Sequence, residues 1–338
     1  MTSATAASGS APRAVTVFAA DVGGTWVRLR TGASDAPVER LRSPSRLNHP
    51  DRPLARLRED MAELLCRAAP PGARAAVSFG AAIDHLTGEV LGSAPLWGAE
   101  TEPYDLGAVL RERRPDVTWR LVNDVTAALV DFVAVHARPG VRRVGYLTVS
   151  SGIAMRVADL ERNRIPVDDR GLQGEIGHLP AMTTDPELRR AQLPCECGGT
   201  NHLASISSGP GILRVAELLG VEGGSALPER FSDALSADDP LARRLLELCV
   251  APVANLLRTV WCLDPHLDLL GLGGGVVEGL GDHYVGELCR QLGLATSYAD
   301  RGRGRAWLAD RLVWCGPGAV DPLHGAERFG RWSPGIVP

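Results

Sequence analysis

"AVTVFAADVGGTWVRLRTG", residues 14–32, poses the question that the rest of the chain answers. An apolar run ends on Asp21, Gly23-Gly24-Thr25 follow at once, and a second run alternates Val27 and Leu29 against Arg28 and Arg30. That pattern predicts a hairpin. Its turn is also suited to phosphate: glycines admit a close backbone approach, their N–H groups can point into the bend, and the Thr25 hydroxyl adds a donor. A carboxylate at the strand end can hold Mg²⁺, usually through water. An ordinary turn would use the same residues, so the reading depends on whether the pattern recurs.

It does. "VRRVGYLTVSSGIAMRVADLERNRI" repeats strand, small-residue turn and strand, with Ser150, Ser151 and Gly152 in the turn. "HLDLLGLGGGVVEG" is a strand running into Gly273, Gly274 and Gly275, where a flat adenine or ribose could lie against the backbone. Between these lie amphipathic helices. In "DRPLARLREDMAELLCRA", Leu54, Leu57, Met61, Leu64 and Leu65 share one stripe. A further helix is predicted near 240–262, kinked at Pro252. Two α/β halves built alike, each presenting turns to a shared cleft, follow from this order. The expected division is a disordered tail over 1–14, a small domain over 15–124 joined by residues from about 320 to 338, and a larger domain over 125–319.

"LVNDVTAAL" places Asn123 and Asp124 where an apolar strand gives way to a helix. The commonest role for such an aspartate is capping the helix. The other is a general base that takes a proton from an acceptor hydroxyl. Phosphoryl transfer asks little covalent chemistry of a protein beyond in-line positioning, Mg²⁺ and such a carboxylate.

The bulk numbers exclude several classes. A chain of 338 residues is expected to form two domains. A formal net charge of −4 gives no basic footprint for nucleic acid. No apolar run is read as reaching the ~18 residues of a membrane span. "MTSATAASGSAPRA" has neither the charged nor the apolar region of a signal peptide. Seven mostly scattered cysteines point to a reducing cytoplasm rather than a disulfide framework.

Taken in order, "DVGGTWVR", "NDVTAAL", "LTVSSGI", "GEIGH", "CECGGTNH" and "LGLGGGV" resemble the motif set of the ROK (repressor, open reading frame, kinase) family, from about residue 15 to 330. The resemblance implies an α/β, two-domain actin-like ATPase (ribonuclease H-like) fold. It also implies an ATP- and Mg²⁺-dependent sugar kinase, commonly dimeric. Asp21, Gly23, Gly24 and Thr25 then correspond to the first phosphate loop. Ser150, Ser151 and Gly152 match the second loop, and Gly273, Gly274 and Gly275 the adenosine turn. Asp124 falls at the catalytic base, with Asn123, Glu175 and His178 at acceptor-binding positions. Members of the family commonly hold a structural Zn²⁺ through the histidine of "GEIGH" and three cysteines. Here Cys195 and Cys197 match, and His202 stands where the third cysteine would be, so His178, Cys195, Cys197 and His202 keep four ligands.

Three departures concern the acceptor. Ala204 replaces the family's sugar-binding glutamate, Ala81-Ala82 replaces its Pro-Gly, and Ala94-Pro95-Leu96-Trp97 lacks its asparagine. The phosphate turns persist while sugar contacts change. The expected acceptor is therefore a C7 cyclitol phosphorylated on its 7-hydroxyl, with a hexose or N-acetylhexosamine 6-kinase as the alternative. A ROK-type repressor would need a helix-turn-helix ahead of the first strand, where only fourteen small, polar residues stand. A non-catalytic sugar-binding protein would have no use for Asp21 and Asp124 together with the glycine turns.

Overall fold

A computed structural model describes residues 15–98, 102–221 and 227–331. The expected tail at 1–14 and the last part of the returning segment, 332–338, lie outside the described residues. Eleven strands are described: β1 (Val17–Val22), β2 (Trp26–Thr31), β3 (Glu39–Arg42), β4 (Arg74–Phe79), β5 (Ala82–Ile83), β6 (Val90–Gly92), β7 (Thr118–Asn123), β8 (Arg143–Val149), β9 (Ile153–Asp159), β10 (Leu267–Gly273) and β11 (Leu312–Trp314).

They form two main sheets built on one plan. The first runs β3-β2-β1-β4-β7 and the second β11-β10-β8-β9, while β5 and β6 pair apart. In the first, β1 and β2 are the antiparallel hairpin read from residues 14–32, and β4 and β7 extend it in parallel. In the second, β8 and β9 are the antiparallel hairpin, extended in parallel by β10 and β11. The repeat seen in sequence is thus a repeat of topology: a hairpin whose first strand takes parallel neighbours on its far side.

Burial explains the composition of each element. Phe18, Ala19, Ala20 and Val22 of β1 are all buried, as are Ala75 to Phe79 of β4. Both faces of these strands are covered, which is why they read as continuous apolar runs rather than alternating ones. The helix Leu54–Ala68 lays Leu57, Met61, Leu64 and Leu65 into the core on this sheet. The C-terminal helix Pro322–Arg331 returns to pack on β1 and β4 and on the helix Asp124–His136. That latter helix begins at the end of β7 in the first sheet, yet its Leu129, Val130, Phe132 and Val133 join a core with Val144 and Tyr146 of the second. It is the mechanical link between the halves.

One expectation needs correction. The helix Pro240–Leu263 does reach the length and hydropathy of a membrane span. Its Leu245, Leu246, Cys249, Val250, Val253 and Leu257 are buried against the rest of the second half, so its apolar character is that of a core helix. Pro252 lies inside it, as expected from the sequence.

Candidate active site and metal centre

Asp124 sits where β7 ends and the helix Asp124–His136 begins. The capping role that its position suggested belongs to Asn123 instead. The Asn123 Oδ1 accepts from the N–H groups of Val125 at 2.9 Å and Thr126 at 3.3 Å, and its Nδ2 donates to the Ala81 carbonyl at 2.7 Å. Asn123 is therefore mostly consumed by structure, with one Nδ2 hydrogen left to offer. Because Asn123 caps the helix, the Asp124 carboxylate is free of that duty, although its Oδ1 still accepts from Val125 N at 2.9 Å.

The Asp124 carboxylate and the first turn stand either side of Gly80. A Cβ placed on Gly80 would be 3.8 Å from Asp124 Oδ2 and 3.9 Å from Gly23 Cα. Burial, with the nearby Asp21 charge, pushes the Asp124 carboxyl up to about 6, and Glu175 adds to the rise; Arg156 and the Val125 N–H oppose it. A carboxylate poised near neutrality is what general-base work on an alcohol favours.

The first turn is held from behind. Ser45 Oγ donates to the Gly24 carbonyl at 2.5 Å, and Asn48 Nδ2 donates to the Thr25 carbonyl at 2.9 Å. A trans peptide puts C=O and N–H on opposite sides, so anchoring the Gly24 carbonyl turns the Thr25 N–H away from Ser45. Asp21 is just as firmly fixed: Arg28 donates to its Oδ2 and Ser78 Oγ to its Oδ1. Arg28, on the polar side of the alternation along β2, is thus the anchor of Asp21.

In the second half, the two remaining turns meet. Gly274 has φ of +98° and lies so close to the second turn that a Cβ would fall 2.5 Å from Thr148 Oγ1 and 2.6 Å from the Val149 carbonyl. Gly275 is exposed, 3.4 Å by the same measure from Ser150 Oγ. Gly273 is different: it is buried, with the space of its missing side chain filled by Tyr146 Oη at 2.3 Å, so it serves packing rather than facing the cleft. The helix Gly209–Leu218 adds its start to this group, Gly209 N donating to the Ser150 carbonyl at 2.8 Å. Ser151 and Gly152 are exposed at the tip of the β8–β9 hairpin.

The third cluster is the cysteine–histidine stretch. His178, Cys195, Cys197 and His202 each bring one ligand atom, all within 4.8 Å of one another. Cys195 Sγ lies 3.5 Å from His178 Nδ1, and Cys197 Sγ 3.2 Å from His202 Nδ1. Bonds of ~2.0–2.3 Å in a tetrahedron separate ligand atoms by roughly 3.5 Å, so these spacings fit a single ion. The segments are tied by backbone bonds: Leu203 N to the Leu179 carbonyl and Ala181 N to the Asn201 carbonyl, both at 2.8 Å. With His178 Nδ1 turned to the cluster, its Nε2 is the nitrogen left for a ligand.

Glu175, three residues before His178, accepts from Arg156 Nη2 at 2.5 Å. The sequence reading passed over Arg156, Ser45, Asn48 and Ser78. Arg156 sits within a mostly apolar strand, and an arginine in that run was the one available signal.

Comparison with known proteins points to the same class of enzyme. The chain is 42% identical over 331 residues, covering 92% of itself and 91% of the relative, to the 2-epi-5-epi-valiolone 7-kinase of Actinoplanes sp. (strain SE50/110). It is 31% identical over 300 residues to the C(7)-cyclitol 7-kinase of Streptomyces hygroscopicus subsp. jinggangensis, covering 79% of the chain and 80% of that protein. Among solved structures it resembles a ROK family glucokinase from Streptomyces griseus in complex with glucose and AMPPNP. That match has a TM-score of 0.65 at 18% identity, over 94% of this chain and 99% of that one. The ROK hexokinase from Thermus thermophilus gives the same TM-score at 22% identity, over 93% and 97%. The profile of the ROK family matches residues 18–293, and the chain belongs to that family.

Proposed function

We propose that this protein transfers the γ-phosphoryl group of ATP to the 7-hydroxyl of a C7 cyclitol of the 2-epi-5-epi-valiolone type. The observation that carries the proposal is the Asp124 carboxylate, held beside the first turn with its affinity for a proton raised. The 42% identity to a kinase of that name supports the acceptor. So does Ala204, which leaves no carboxylate where family members grip a sugar.

In this reading Asp124 accepts the proton of the primary hydroxyl as that oxygen attacks phosphorus. Glu175, His178 Nε2 and the spare Asn123 hydrogen hold the ring. The turns at Gly23–Thr25 and Ser150–Gly152 bind phosphates, and Gly274-Gly275 lies against the nucleoside. With Arg28 and Ser78 already on its carboxylate, Asp21 has room to meet Mg²⁺ through water rather than directly. The cation would neutralise phosphate charge as it develops. Zn²⁺ suits the two-thiolate, two-imidazole set of His178, Cys195, Cys197 and His202, and would fix the segment that carries Glu175. All seven cysteines are free, which supports a reducing, cytoplasmic setting. The reading includes a homodimer, to which exposed Leu263 and Tyr298, at 80% and 85%, could contribute apolar contact.

The test is mass spectrometry of ATP incubations with 2-epi-5-epi-valiolone, other valiolone-type cyclitols, glucose and N-acetylmannosamine. A phosphorylated cyclitol as the dominant product supports the proposal. Brisk turnover of glucose alone rejects the cyclitol acceptor in favour of a hexose kinase.

A further inference from the structure

Arg156 is a cation deep in the protein, 3% exposed, on a strand whose other side chains are mostly apolar. One nitrogen, Nη1, donates to its neighbour's carbonyl at Met155, at 3.1 Å, and the other, Nη2, to Glu175 at 2.5 Å. It also lines a small cavity with Asn123, Thr126, His85 and Gln173, directly behind the residue that precedes Asp124. A buried ion pair is seldom the most stabilising choice for a strand, since well-packed apolar side chains of like volume commonly do as well or better. Its position against the acceptor-binding residues therefore calls for a functional reason.

We propose that Arg156 is a positioning residue of the acceptor site: it fixes Glu175 by one oxygen so that the other faces the acceptor, and it gives Asp124 a cationic neighbour. This rests on the reading of Asp124 as the base. The charged groups acting on Asp124 are Asp21 from β1, Arg156 from β9 and Glu175 from the segment after it, with Tyr146 from β8 at longer range; His85 lines the Arg156 cavity as well, and burial together with Arg120 and Arg156 holds its imidazole below the usual range. The remaining candidates are engaged elsewhere: Arg328 of the C-terminal helix donates to Asp131, and Arg120 of β7 stacks on Phe329. Arg156 is thus the positive charge that opposes two carboxylates and burial around Asp124. Without it the base would keep its proton to higher pH.

The experiment is the pH profile of kcat for Arg156→Met, Arg156→Lys and Glu175→Gln, alongside Asp124→Asn, with melting temperature and metal content measured on each. Arg156→Met is expected to move the acid limb upward by about one pH unit. Arg156→Lys keeps the charge but not the planar fork, so the limb stays in place while acceptor KM rises several-fold. Glu175→Gln removes a negative neighbour and is expected to move the limb downward. A folded Arg156→Met or Glu175→Gln enzyme with the limb at its wild-type position overturns the assignment, provided Asp124→Asn has lost turnover. If Asp124→Asn keeps its rate, the base reading itself has failed.

Discussion

Arg28 and Asp321 are 293 positions apart in sequence and joined by two hydrogen bonds, Nη2 to Oδ1 at 2.7 Å and Nη1 to Oδ2 at 3.1 Å. The same guanidinium donates through Nε and Nη2 to Oδ2 of Asp21, at 3.0 and 2.8 Å. The start of the C-terminal helix and the carboxylate of the first turn are thereby held by one side chain. Asp321 is fixed further, its N–H donating to Asp131 and its Oδ1 accepting from Leu323 N. In the proposed mechanism, a disturbance at Asp321 would therefore reach the turn assigned to phosphate.

Arg28→Met leaves two partly buried carboxylates facing each other without a cation. A loss of about 1–3 kcal/mol in stability is expected, together with a higher KM for ATP, measured by denaturant titration and steady-state kinetics. Burial pushes the Asp321 carboxyl up, but the Arg28 hydrogen bond and charge outweigh it, and the group ends below the usual carboxylate range. Its contribution is therefore present above the unfolded value of ~3.9 and is lost as pH falls through the lower folded one. Asp321→Asn should remove that acid sensitivity; an unchanged slope of stability against pH below about 5 would disprove the link.

Much of this architecture was legible because it is local. The hairpin at 14–32, the strand-to-helix switch at Asn123-Asp124 and the four candidate metal ligands all show within short windows of sequence. What escaped is what depends on long-range partners. Alternation along β2 turns Arg28 outward from the sheet, and only the returning C-terminal helix makes that side an interior one. Ser45 and Asn48 sit in a polar stretch that reads as loop, and their value lies in the carbonyls of Gly24 and Thr25 some twenty residues away. Gly273-Gly274-Gly275 looked like one equivalent run. Tyr146, from a strand over a hundred residues earlier, separates the buried member from the exposed one.

Gly274 provides a direct test of how the second and third turns meet. Its left-handed φ and the 2.5 Å approach to Thr148 Oγ1 leave no room for a methyl group. Gly274→Ala is expected to cost on the order of 1–3 kcal/mol from backbone strain alone. It should also raise KM for ATP at least several-fold, with KM for the acceptor little changed, because the shift falls on the nucleotide side. An equal loss in both constants would mean that the turn does not bind the nucleotide.

The metal centre has its own readout. Purified protein is expected to carry about one zinc per chain, measured by elemental analysis after exhaustive dialysis. His202→Ala removes one ligand of four and should release the ion, whereas His202→Cys restores a family-like set and should keep it. Loss of metal should lower the melting temperature and raise the acceptor KM through the Glu175–His178 segment. Stoichiometric zinc in His202→Ala would show that this histidine is not a ligand.

Asp124 combines both kinds of evidence, since its environment predicts an effect on stability opposite to the effect on rate. Its folded pKa of about 6 lies above the ordinary aspartate value of ~3.9, so the fold favours the protonated carboxyl. Its contribution to stability is fully present below the unfolded value and is lost as pH rises through about 6. At pH 7 the ionised, half-buried group thus costs the fold roughly 3 kcal/mol. Asp124→Asn removes that cost with little change of shape: the melting temperature at pH 7 should stay level or rise, and the gap to wild type should close as pH approaches 4. Turnover should nonetheless fall by at least 10²-fold, the usual contribution of a positioned base. In the wild-type enzyme kcat should drop below pH 6 as the carboxylate takes up its proton. A variant that melted far below wild type would show that the carboxylate supports the fold instead, and one that kept its rate would move the base elsewhere in the cleft.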